Sequence, residues 1–333
     1  MTVLPDDRDM TAVWTSAEWR AAAETWILDR LAEAGLEPTG PIEQPRVRPW
    51  STQLTVPTAR GRFWFKENSP AMTFEAGLVA AIAELAPGRV LTPLAVDRDR
   101  GWLLGPDGGP TVRDQGTDEA AFTRILTEYA ELQQTLAGRT ELLDAGLPPL
   151  EPAGTADHVD RQVAELAALP PEHPLHADAD LLACAARNRS KIIADAELLA
   201  EVPVPSTLQH NDLHQNNAFA PGAGPLKFFD FGDAVWGHPF CSLTVTRGAL
   251  CQEWSCPPED PRIERLILAY LECWTDLAPL AELRRMLEPA LRIGELHRYN
   301  SWHRLVPYLP DEMIKGHVGY LRSLLCGAAD GSG

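Results

Sequence analysis

The stretch "LQHNDLHQNN", residues 208 to 217, gathers His210, Asp212, His214 and Asn217 into ten residues that suit neither a buried strand nor an amphipathic helix. Just beyond it, "NNAFAPGAGPLKFFDFGD" reads as two short strands reversed by Pro221, Gly222, Gly224 and Pro225. A hairpin brings its open ends together, so Asn217 and Asp230 are expected side by side. An amide oxygen beside a carboxylate, with the remaining positions left to water and phosphate, is the donor set Mg²⁺ prefers. Asp212, five residues before Asn217, would face the same mouth. An Asp to take a hydroxyl proton, an Asn five residues on and a second Asp after a hairpin make up the set used in phosphoryl transfer. A zinc site built on His210 and His214 is the rival. Their spacing would suit it on a helix, but no third ligand is evident.

The string His210-x-Asp212-x-His214-x-x-Asn217, followed by Asp230-Phe231-Gly232, resembles the catalytic loop of the aminoglycoside phosphotransferase and choline kinase families. The His210-Asn211-Asp212 opening is similar to choline kinases, and His214 at its spacing is similar to aminoglycoside phosphotransferases. The resemblance implies an α+β, protein-kinase-like two-lobed fold and transfer of the γ-phosphate of ATP, with Mg²⁺, to a hydroxyl of a small molecule. Asp212 would be the catalytic base, and Asn217 and Asp230 would hold the metal. His210 is expected to be structural, bonding backbone around the loop. His214 is either a loop residue or a donor toward phosphate. A catalytically inactive, nucleotide- or ligand-binding relative is the alternative reading.

Such a site needs a strand lysine for the phosphates and a helix glutamate to hold it. Only four lysines occur among 29 basic residues, and Lys66 is the one in the first 190 positions. It ends "LTVPTARGRFWFKEN", which reads as two strands around a turn at Ala59–Arg60–Gly61. Period two puts Phe63 and Phe65 on one face and Arg62, Trp64 and Lys66 on the other. A helix from Pro70 to Ala86 carries Glu75, with Glu67 and Glu84 as competing partners for Lys66. Before these strands, Thr15 and Glu18 read as a capping box opening a helix. "RVLTPLAV" and "GWLLG" add two more strands. Residues 1–105 are thus an N-lobe, 106–110 ("PDGGP") a hinge, and 111–333 a mainly helical C-lobe. No GxGxxG precedes the strand pair, so Ser51 and Thr52 are expected to cover phosphate. Leu104 and Gly105 would offer the hinge backbone to the base, and Trp64 would stack on the base or narrow its pocket.

"DFGDAVWGHPF" reaches a new helix within a few residues, leaving no room for a peptide-docking segment; the acceptor is a small molecule. Asp233, Glu253, Trp254, Tyr299, Trp302 and His303 are candidates to line its pocket. The formal net charge of −18 argues against nucleic acid and favours a cationic acceptor such as an aminoglycoside, amino sugar or amino alcohol. No apolar run is long enough to span a membrane. The acidic N-terminus lacks a signal-peptide core, so a cytoplasmic location is expected. Cys184, Cys241, Cys251, Cys256, Cys273 and Cys326 form no CxxC pair and are expected to be free.

Overall fold

The computed structural model describes residues 9–222 and 224–327. The chain opens with helices α1 (Met10–Trp14) and α2 (Ala17–Glu33). Ser16 caps α2, its Oγ accepting from Trp19 N, whereas the Thr15 hydroxyl donates back to Thr11 O. The cap therefore lies one residue later than the Thr15–Glu18 pair implied.

Strands β1 (Glu43–Arg48), β2 (Ser51–Thr58), β3 (Gly61–Asn68), β4 (Ala95–Asp97) and β5 (Trp102–Pro106) form one antiparallel sheet in the order β1-β2-β3-β5-β4. Strand β1 escaped the sequence pattern because it is an edge strand with an exposed, polar "EQPRVR" sequence. Leu54, Phe65 and Leu104 point from the sheet toward α2, where they meet Ile27 and Leu31. Phe65 is wholly buried, with the rings of Trp19, Trp26 and Trp102 at 6.3, 5.9 and 5.4 Å. Each such aromatic pair adds about 0.5–1.5 kcal/mol beyond its buried area. That packing fixes the parity of β3, and with it the face on which Lys66 stands. Helix α3 (Phe74–Leu85), after a 3₁₀ turn at Pro70–Met72, packs on this second face.

The rest is helical: α4 (Val112–Gln115), α5 (Glu119–Leu136), α6 (Glu141–Asp144), α7 (Pro152–Ala167), α8 (Ala179–Ala200), α9 (Leu243–Trp254), α10 (Pro261–Glu272), α11 (Leu280–Leu305) and α12 (Asp311–Cys326). The stripe Phe122, Ile125, Leu126, Tyr129, Leu132 and Leu136 on α5 is buried throughout, as its helical spacing requires. Two small antiparallel pairs interrupt the helices. Strand β6 (Thr207–Gln209) pairs with β9 (Val235–Gly237), and β7 (Ala218–Phe219) with β8 (Lys227–Phe228). Among the described residues no helix is long and apolar enough to cross a membrane.

The cysteine expectation needs correcting. Cys184 on α8 and Cys326 on α12 form a disulfide across a Cα separation of 5.5 Å. The two helices pack side by side, but 142 residues separate the cysteines in sequence, so no local spacing could reveal the pair. Cys241, Cys251, Cys256 and Cys273 are free.

Candidate active site

The loop after β6 is held from several sides. Tyr129 and Gln133 on α5 both donate to Leu208 O, at 3.1 and 2.9 Å. Thr246 on α9 donates to Leu213 O at 2.8 Å. His210 is wholly buried, and its Nε2 donates to Phe229 O at 3.0 Å, tying the loop to the strand that leads into Asp230. Burial lowers the His210 pKa, so the ring is neutral and serves as a structural strut. Among the described residues no three His, Cys, Asp or Glu side chains converge as metal ligands, which leaves the zinc reading of His210 and His214 without support.

Asn211 adopts a left-handed backbone (φ 61°) and donates from Nδ2 to His297 O at 2.8 Å and Ser301 Oγ at 2.7 Å, both on α11. Asp230 is likewise left-handed, at φ 67°. Two non-glycine residues in this sparsely populated region flank the reactive groups, and the surrounding bonds hold them there.

Asp212, Asn217 and the hairpin's Asp230 line one mouth, and within the loop Asp212 meets Asn217 directly. Asn217 Nδ2 donates to Asp212 O at 2.8 Å and to Asp212 Oδ2 at 3.1 Å. His214 Nε2 lies 3.4 Å from the same carboxylate. Arg298 Nη1 on α11 lies 3.5 Å from Asp212 Oδ1 and 3.0 Å from Asp233 Oδ2. Burial pushes the Asp212 carboxyl up. The bond to His214 and the charge of Arg298 outweigh it and hold the carboxyl well below the usual range. For Asp233 the balance reverses: burial, opposed by Arg298, raises it.

Lys66 Nζ sits between two carboxylates, 2.6 Å from Glu75 Oε2 and 2.6 Å from Asp230 Oδ1. Burial works against its charge, but Asp230 and then Glu75 prevail and raise its pKa. Glu75 is also bonded by Asn68 Nδ2 and, at 2.9 Å, by Phe231 N. Its two competitors are excluded by position. Glu67 faces the other side of the sheet, where the indole N–H groups of Trp19 and Trp102 donate to it at 2.7 and 2.6 Å. Glu84 is exposed on α3.

These groups open onto one cleft of about 720 Å³ between the sheet and the C-lobe. Lys66, Glu75, Asp212, Asn217, Asp230 and Asp233 all line it. Gly105 and Trp64 line it as well, the Trp64 indole donating to Asp107 at 3.2 Å. Several expected residues lie elsewhere. The Thr52 hydroxyl turns to the opposite face of the sheet, donating to Arg46 O and accepting from Gln44. Ser51 is buried outside the lining, and Gln53 takes the place expected of this pair. Leu104 points into the apolar core and its carbonyl accepts from Leu94 N, so Leu103 and Gly105 face the cleft.

Of the six residues expected to line an acceptor pocket, Asp233 and Trp302 line the cleft and the other four do not. Glu253 accepts from Arg113 and Thr117, each at 2.7 Å, outside the cleft. Trp254 donates to Thr117 O and stacks against Arg262. Tyr299 is buried within the C-lobe, and His303 pairs with Glu165 at 3.3 Å. Helix α11 instead shows the cleft Arg298, Trp302 and Leu305, one face at spacings of four and three. Arg298 and Asn68 went unread in the sequence, and Asn211 was read only as part of the choline-kinase-like opening. An acidic trio at 212, 230 and 233 around one cleft calls for a cation, and that was the available signal for Arg298.

The family model described as the phosphotransferase enzyme family matches residues 52–283. The chain belongs to that family. As a member, this phosphotransferase is a small-molecule kinase with a hydroxyl acceptor. Its fold is similar to that of an ethanolamine kinase from Plasmodium vivax (TM-score 0.65, 13% identity, 98% of this chain and 96% of the other). It is also similar to the macrolide 2'-phosphotransferase MphH from Brachybacterium faecium (TM-score 0.54, 16% identity, 93% and 98%). A third similar structure is the choline kinase LicA from Streptococcus pneumoniae (TM-score 0.56, 13% identity, 91% and 99%). No curated protein matches the phosphotransferase in sequence.

Proposed function

We propose that this phosphotransferase moves the γ-phosphate of ATP to a hydroxyl of a small amino-bearing molecule such as an amino sugar, aminoglycoside or amino alcohol. The observation that carries the reading is the convergence of Asp212, Asn217, Asp230 and the Lys66–Glu75 pair on one cleft. Lys66, oriented by Glu75, neutralises the nucleotide's phosphates. The donor set fits a hard divalent cation. Asp230 gives one oxygen to Lys66 and Asn217 uses its amide N–H, and among the described residues their Oδ2 and Oδ1 atoms have no hydrogen bond. Mg²⁺ bound by these oxygens would offset charge on the transferred phosphoryl group. Asp212, kept ionised and aimed by Asn217, His214 and Arg298, orients the acceptor hydroxyl and takes its proton. Most of the acceleration then comes from positioning and charge neutralisation.

For the acceptor, the aromatic ring of Trp302 on the cleft wall and the net charge of −18 support a cationic amine. ADP release measured over a panel of amino sugars, aminoglycosides, choline and homoserine tests the reading. Asp212→Asn should abolish turnover and leave ATP–Mg²⁺ affinity intact. Collapse of nucleotide affinity in that variant would refute the role given to Asp212. Nucleotide binding without turnover of any acceptor would favour the inactive alternative.

A further inference from the structure

Lys66, Arg298 and Arg46 are the lysine and arginine side chains that line the cleft. Two of them are already engaged, Lys66 by Glu75 and Asp230, and Arg298 by Asp212 and Asp233. Arg46 is exposed, and among the described residues it has no ion pair and no side-chain hydrogen bond. Its position is set by register. Arg46 pairs with Gln53 and Gln53 pairs with Lys66, so the three side chains form one row across the roof of the cleft. Arg48, two residues on, shares that face, is exposed and is equally unpartnered among the described residues. Free arginines on a cleft roof stand out in a chain with 47 acidic and 29 basic residues.

The turn they flank has little else to offer an anion. It consists of Pro49 and Trp50, and the proline has no N–H to donate. A glycine-rich turn could wrap a phosphate in backbone amides, whereas this one presents guanidinium groups, which bind phosphate through charge-assisted hydrogen bonds.

We infer that Arg46 binds the β- or γ-phosphate of the nucleotide directly, with Arg48 assisting from the end of the hairpin, in place of a glycine-rich cradle of backbone amides. The inference rests on the ATP reading above. It is tested by calorimetric binding of a non-hydrolysable ATP analogue, ADP and adenosine, each with Mg²⁺, to the unsubstituted protein and to Arg46→Ala, Arg46→Lys and Arg48→Ala. Loss of one charge-assisted bond should weaken the analogue about tenfold in Arg46→Ala. Adenosine, which carries no phosphate, should bind as before, Arg46→Lys should recover part of the loss, and Arg48→Ala should lose less than Arg46→Ala. An equal loss for ADP and the analogue assigns the contact to the β-phosphate; a loss confined to the analogue assigns it to the γ-phosphate. Unchanged analogue affinity in Arg46→Ala overturns the inference, and so does a parallel loss of adenosine, which would mean a damaged fold. Failure of the unsubstituted protein to bind any of the three overturns the ATP reading together with it.

Discussion

Replacing Lys66 by methionine keeps most of the side-chain volume and removes one charge from the centre of the site. Nζ lies 2.6 Å from a carboxylate oxygen of Glu75 and 2.6 Å from one of Asp230. Without it two carboxylates face each other with no cation between them. Breaking a buried pair in this way costs about 3–5 kcal/mol if both stay ionised. Uptake of a proton by one of them is the other route, comparable at pH 7 and cheaper at pH 5. It costs about 1.4 kcal/mol per pH unit above an ordinary carboxyl pKa near 4, so about 4 kcal/mol at pH 7 and about 1.5 kcal/mol at pH 5. The Glu75 side chain is 4% exposed, but that of Asp230 is 43% exposed, and water there screens part of the repulsion. After that discount, Lys66→Met should destabilise by about 2–3 kcal/mol at pH 7 and by about 1 kcal/mol at pH 5. Urea unfolding of both proteins at the two pH values measures this, and Lys66→Met/Glu75→Gln should recover much of the loss at pH 7. Equal destabilisation at both pH values, or no recovery in the double variant, would refute the charge argument and leave lost packing as the cause. Turnover should fall about 10²–10³-fold, as when one preorganised donor to a developing charge is removed.

Two further outcomes follow from groups around the site. His238 and His297 are wholly buried, and burial pushes each pKa down to about 3. The unfolded chain protonates them near 6.5 and so binds more protons between those values. Their contribution is complete above pH 6.5 and is lost as pH falls toward 3, by about 2 kcal/mol each at pH 5. Urea midpoints at pH 7 and 5 should show the drop, and His297→Leu should remove its own share, about 2 kcal/mol at pH 5; a flat midpoint refutes the assignment. Trp302→Ala should raise the acceptor KM about tenfold through lost apolar contact while the nucleotide KM stays put. Steady-state kinetics varying each substrate separate the two, and a shift in the nucleotide KM alone would move Trp302 to the other end of the cleft.

How much of this was legible in the sequence depended on whether a residue's place is set by its neighbours in the chain. Asp212, Asn217 and Asp230 sit on one loop and one hairpin, so spacing alone brought them together. Arg298 reaches Asp212 from 86 residues away, and no local pattern reports such a meeting. On α11 the expected pair Tyr299 and His303 missed the cleft by one position, because each residue turns the helix by about 100° and only packing selects the face. The Thr52 expectation failed for a reason the sequence did contain. A three-residue turn at 59–61 would pair Leu54 with Lys66 and bring Thr52 to the cleft face. The turn has two residues, Ala59 and Arg60, and Gly61 pairs with Thr58 at a φ of 106° that suits glycine. That register sets Leu54 opposite Phe65 and Gln53 opposite Lys66. Two apolar residues side by side were the evidence for it, since the one-residue shift would have aimed Leu54 at the phosphates and Gln53 at the tryptophan core.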